Sequence, residues 1–83
     1  MKIHEILSQA PDLWCQKTIE KGLPDGRTAF CLYGWCLNYP VPARNEVIDL
    51  IDEAIGGEGI VEWNDRPERT VAEVIQVCKN ANV

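Results

Sequence analysis

Five residues carry the atoms that a binding site would need: Trp14, Gln16, Trp63, Asn64 and Asp65. An indole can stack on a planar ligand while amide and carboxylate groups orient it, so together they would line a polar pocket with aromatic walls. The same residues have a purely structural reading. In Ile60-Val61-Glu62-Trp63-Asn64-Asp65 the tryptophan would anchor a turn whose Asn64 and Asp65 side chains bond nearby backbone amides. Thr70 and Glu73 follow at the spacing of a capping box, which marks the start of a last helix. The structural reading is the more economical, because such turn chemistry is common.

Other chemistry-bearing residues are weaker candidates. Cys15, Cys31, Cys36 and Cys78 are even in number, but no pair has the Cys-x-x-Cys spacing of a redox centre or a zinc knuckle. On one helix, Cys31 and Cys36 would point roughly 140° apart. Four reduced thiols packed as small hydrophobes are expected, with no metal. His4 is the one histidine, and a Cys–His nucleophile would require it to meet a distant cysteine. Gly22-Leu23-Pro24-Asp25-Gly26 lacks the Lys-Ser or Lys-Thr of a phosphate-binding loop. Asp65 or Glu62 has the chemistry of a general base, yet neither is accompanied by a second catalytic partner. No catalytic residue and no cofactor is therefore expected.

The remaining cluster is Glu46, Asp49, Asp52 and Glu53. They interleave with Val47, Leu50, Ile51, Ala54 and Ile55 so that a helix over residues 42–55 has an acidic face and a wide apolar stripe. A solvated face accounts for these acids, whereas magnesium binding or acid–base work would need carboxylates paired in space. The charge balance gives the face a second meaning. Thirteen acidic and eight basic residues leave a net charge of -5, which disfavours direct contact with nucleic acid and suits a partner with a basic surface.

The elements that position these residues follow from periodicity. Ile3, Ile6, Leu7 and Ala10 mark a first helix that Pro11 should stop, and residues 13–19 read as a short extended segment. Gly22 to Gly26 is a turn. Residues 28–38 are apolar on nearly every side, and their length favours a buried helix in which Gly34 allows close approach of another element. Tyr39-Pro40-Val41-Pro42 should end it, with Pro42 opening the next helix and Gly56-Gly57 closing that one. Ile60-Val61 reads as a short strand, and Val71, Val74, Ile75 and Cys78 give the final helix its stripe. The expected fold is mainly α: one domain over residues 1–83 with about four helices and room for a two-stranded pairing between the Trp14 and Val61 segments. An 83-residue chain has one modest core, so self-association is one way for it to gain stability. No signal-peptide pattern or membrane-length apolar run occurs, and a cytoplasmic setting is expected.

An early Trp14-x-Gln16, a central Cys31-x-x-Gly34 and a late Trp63-Asn64-Asp65 followed by Thr70-x-x-Glu73-Val74 together span most of the chain. This pattern resembles a family of small uncharacterised proteins of actinobacteria and their phages, a domain of unknown function. The resemblance implies a shared fold and no established activity. With the acidity and the lack of a catalytic motif, its phage association leads to the expectation of a non-enzymatic interaction protein that binds and modulates a host or defence protein. The alternative is a small-molecule binding or sequestering domain built around Trp14 and Trp63.

Overall fold

In the computed structural model, which describes residues 1–39 and 43–83, helix α1 (Ile3–Gln9) forms where the periodicity predicts it. Ile3 and Leu7, four apart, are its buried face, and Glu5 accepts a hydrogen bond from the Lys2 amide at 2.8 Å across the first turn. Pro11 opens a 3-10 turn over Pro11–Leu13, since its ring cannot continue the α-helical ladder. The chain is then extended at Trp14, which forms a parallel bridge with Phe30. Strands β1 (Glu20–Gly22) and β2 (Thr28–Phe30) pair antiparallel, with Glu20 opposite Phe30 and Gly22 opposite Thr28. Between them Gly26 takes a φ of 87°, and Asp25 accepts from the Arg27 amide at 3.1 Å and from Arg27 Nε at 2.7 Å. Arg27 also pairs with Asp12, joining the hairpin to the 3-10 turn.

The structure departs from the sequence reading at residues 28–38 and again at residues 60–65. The apolar stretch 28–38 is not one helix. Thr28 and Phe30 suit a pleated strand and pair with β1, so helix α2 (Leu32–Leu37) starts only after Cys31, whose Sγ accepts from the Gly34 amide at 3.4 Å. Ile60-Val61 is not a strand either, and the two-stranded pairing lies within the hairpin rather than between the Trp14 and Val61 segments. Ile60 opens helix α4 (Ile60–Asn64), and Trp63, three residues on, is buried with it. That spacing places both on one helical face, whereas a strand would turn them to opposite sides. Trp63 therefore sits in a helix, with Asp65 as its C-cap, and not in a turn.

Gly34 does allow a close approach. A Cβ built there would lie 2.6 Å from the Ile19 carbonyl oxygen and 3.1 Å from Phe30 Cβ. The carbonyl oxygen just before β1 is backbone, and Phe30 Cβ is fixed by β2, so relief requires the backbone to move. Gly34→Ala is expected to cost about 1–3 kcal/mol in a urea melt despite alanine's better helix propensity; an unchanged midpoint would show that α2 is not seated this closely.

Helix α3 (Ala43–Ala54) follows; its expected start at Pro42, and the stop across Pro40-Val41-Pro42, lie outside the described residues. Gly56 and Gly57, at φ of 84° and 79°, close it, and the Gly57 amide donates to the Asp52 carbonyl at 2.8 Å. The apolar stripe is narrower than expected. Val47 and Ile51 are buried with Ile48 and Ile55 packed beside them, but Ala54 is exposed and Leu50 is 44% exposed. Leu50 lies one residue before Ile51, about 100° round the helix from the stripe's centre.

The capping box at the last helix, α5 (Val71–Asn80), is present in full: Thr70 Oγ1 accepts from the Glu73 amide at 3.3 Å, and Glu73 Oε1 accepts from the Thr70 amide at 3.0 Å. Helix α1 packs on α5, α2 on α3 and α4, and α3 on α5, around a core that includes Leu7, Leu32, Ile51, Trp63 and Val74. The chain ends meet where the His4 amide donates to the Val83 carbonyl at 3.1 Å. The fold is mainly helical with a two-stranded antiparallel sheet. Among the described residues, no helix is long and apolar enough to cross a membrane.

Candidate functional site

The expected extended segment over residues 13–19 is extended only near Trp14 and bends over residues 16–19; with helix α4 it brings Trp14, Gln16, Asn64 and Asp65 together, as a pocket would require, but their polar atoms face one another and the backbone. Asn64 is the centre, with 0% of its surface exposed. Its Oδ1 accepts from Trp14 Nε1 at 2.6 Å and from the Leu32 amide at 2.9 Å. Its Nδ2 donates to the Cys15 carbonyl at 3.1 Å and to Asp65 Oδ1 at 3.0 Å. Gln16 Nε2 donates to the carbonyls of Asn64 at 2.9 Å and Arg66 at 2.8 Å, while Asp65 Oδ1 also accepts from the Lys17 amide at 2.9 Å. Lys17 is, with Asn82, one of two non-glycine residues at positive φ among the described residues, at 68°, so the Asp65 carboxylate holds a backbone turn that L-residues rarely adopt. One buried amide thus ties α4 to the segment at Trp14, to the start of α2 and to its own C-cap.

Trp63 points the other way, into the core, and is 7% exposed. The Arg69 guanidinium lies over its ring at 3.8 Å, and Arg69 Nε donates to the Trp63 carbonyl at 3.0 Å. Arg69 also pairs with Glu73 at 2.6 Å, so the cation that covers the tryptophan is held by the capping box of α5. Residue spacing contains no signal for this contact, because it spans a loop of irregular geometry between two helices.

All four cysteines are buried and free. Cys15 Sγ donates to the Thr18 carbonyl at 3.6 Å, and Cys31 caps α2. Burial pushes the Cys36 and Cys78 thiols up to about 12 from an ordinary value of 9.0, so neither is a thiolate nucleophile at neutral pH. A folded-state pKa above the unfolded one means that stability is fully present below about 9 and is lost as pH rises towards 12. Each thiol contributes about 1.4 kcal/mol per pH unit over that window. Urea midpoints for the wild type should therefore fall between pH 8 and 10 more steeply than those of the Cys36→Ala, Cys78→Ala double variant, compared as changes within each protein. Parallel pH profiles would show that the two thiols are not buried. Among the described residues, no three His, Cys, Asp or Glu side chains converge as metal ligands would.

The acidic candidates occupy the outer side of α3. Glu46, Asp49 and Glu53 are exposed and Asp52 is half-buried. The ion pairs among the described residues engage Asp12, Asp25, Glu58 and Glu73, and none involves these four. Leu50, 44% exposed, lies among them and shares one open groove with Glu46, Asp49 and Glu53. A second groove, of about 260 Å³, runs between α3 and α4 and is lined by Tyr33, Ile48, Asp49, Asp52, Ile60, Val61 and Glu62. The α4 wall was missed by reading Ile60-Val61 as a strand. Arg44 is the one basic residue in α3, so the face carries a local anionic field.

No curated protein sequence and no solved structure gives a significant match to the chain. The model of one family, described as a family of unknown function (DUF6197), matches residues 2–82. Its span takes in the Asn64 network, the capped final helix and the acidic face alike, and the chain belongs to this family.

Proposed function

We propose that the protein is a small acidic, non-enzymatic interaction protein that binds a partner with a basic surface through the outer face of α3. In this reading it is encoded by a phage or mobile element and modulates a host or defence protein in the cytoplasm. The observation that carries it is the α3 face, where Glu46, Asp49, Asp52 and Glu53 lack ion-pair partners among the described residues and surround an exposed Leu50. Carboxylates without internal partners keep their charge for an incoming cation, and an apolar side chain among them supplies area that is buried only on association. Engagement of Trp14, Gln16, Asn64 and Asp65 within the protein supports this reading over a small-molecule pocket at those residues.

The test is capture from the native host, identification of the retained protein, and titration of that purified partner with an Asp49→Lys, Asp52→Lys double variant. Affinity should fall by about tenfold or more, and the salt dependence should flatten, because rim charges set steering and screening. A folded double variant with wild-type affinity and salt response would exclude this face.

A further inference from the structure

The cleft between α3 and α4 differs from a merely solvated acidic face because apolar side chains line it together with the acids. Ile60 is buried, Ile48 half-buried and Val61 38% exposed, and they share the cleft with Tyr33 of α2 and with Asp49, Asp52 and Glu62. Its volume, about 260 Å³, is enough for inserted side chains. Apolar side chains beside carboxylates match the lysine or arginine side chain, whose methylene stem packs on apolar surface while its charged head pairs with an acid. A second copy of the chain is a poor occupant, since each copy has a net charge of -5 and the rim would meet another anionic surface.

We infer that this cleft receives a cationic amphipathic segment of a partner protein, with an apolar side chain against Ile48, Ile60 and Val61 and a lysine or arginine near Asp49, Asp52 and Glu62. The assignment rests on the interaction reading above and adds to it an apolar anchor and a second wall from α4. Electrostatic attraction brings the segment to α3, and the cleft selects those that present an apolar residue next to the cation.

A fluorescein-labelled amphipathic peptide of leucine and lysine, with its leucine–glutamate counterpart as control, provides the probe. In ¹H–¹⁵N spectra of the wild type, the lysine peptide should shift the amides of residues 48–52 and 60–62, and the glutamate peptide should not. Val61→Ser and Glu62→Gln alter exposed side chains, and each should weaken the lysine peptide by about tenfold in anisotropy titrations. Equal binding of the two peptides, or shifts confined to other residues, would overturn the assignment without requiring any variant to fold. If Asp49→Lys, Asp52→Lys weakens binding while Val61→Ser and Glu62→Gln leave it unchanged, the cleft is excluded and the acidic-face reading survives. If all three variants bind as the wild type does, both readings fail.

Discussion

Asn64→Ala is expected to destabilise the protein by roughly 3–5 kcal/mol, a large share of the 5–15 kcal/mol that holds a typical domain together. The side chain is fully buried and serves Trp14 Nε1, the Leu32 amide and the Cys15 carbonyl. Truncation leaves all three without that partner, at about 1–3 kcal/mol for each group that water cannot reach. Asn64→Asp makes a sharper probe. It keeps the acceptor for Trp14 and Leu32 but replaces Nδ2 with an oxygen facing the Cys15 carbonyl and Asp65 Oδ1, which lie 3.1 and 3.0 Å from the native nitrogen. Burial and the neighbouring carboxylate should raise the new carboxyl above the ordinary value near about 4. Protonated, it again donates a hydrogen bond. The variant should therefore be most stable below that ordinary value and lose stability as pH rises through the raised one, a trend added to the wild-type profile. Chemical denaturation at a series of pH values measures both effects, and a wild-type midpoint for Asn64→Ala would remove Asn64 from its central role.

Trp63→Ala should cost a similar amount, about 3–5 kcal/mol, by a different mechanism. The ring is 7% exposed, packs in the core and carries the Arg69 guanidinium on its face at 3.8 Å. Its removal opens a cavity and also leaves Arg69 without the surface that desolvates one side of it. At roughly 4–8 °C per kcal/mol for a domain of this size, the melting temperature should fall by about 12 °C or more. An unchanged melt from soluble Trp63→Ala protein would mean that the indole is exposed, and would return it to the set of ligand-binding candidates.

Helices whose stripe and cap agree were legible from sequence. In α5, Thr70 and Glu73 set the start while Val74 and Cys78 set the buried face, and both levels give the same answer. At residues 28–38 they did not agree: an apolar run has no period, so the boundary between β2 and α2 was hidden, and only the capping role of Cys31 marks it. Ile60-Val61 misled because two branched residues suit a strand locally, whereas the burial of Ile60 together with Trp63 is a tertiary fact. The association of Trp14, Gln16, Asn64 and Asp65 was suspected from residue type, but the direction of their polar atoms was not. A buried asparagine with four partners and a ligand-binding asparagine have the same letter, and only the fold decides whether its hydrogen bonds end inside the protein. The acidic residues of α3 were correctly placed on its outer side, but Tyr33 and the α4 wall of the cleft depend on helix packing that periodicity does not encode.

Native-state hydrogen exchange at the Trp14 indole tests most directly whether the Trp-Asn-Asp region is an internal clamp. Its proton is donated to Asn64 Oδ1, the same oxygen that receives the Leu32 amide. Exchange of both protons should proceed only through global unfolding, with equal free energies that fall together in denaturant. Fast exchange of the Trp14 indole under conditions that leave the Leu32 amide protected would show an open, water-filled site at Asn64, and would contradict the clamp.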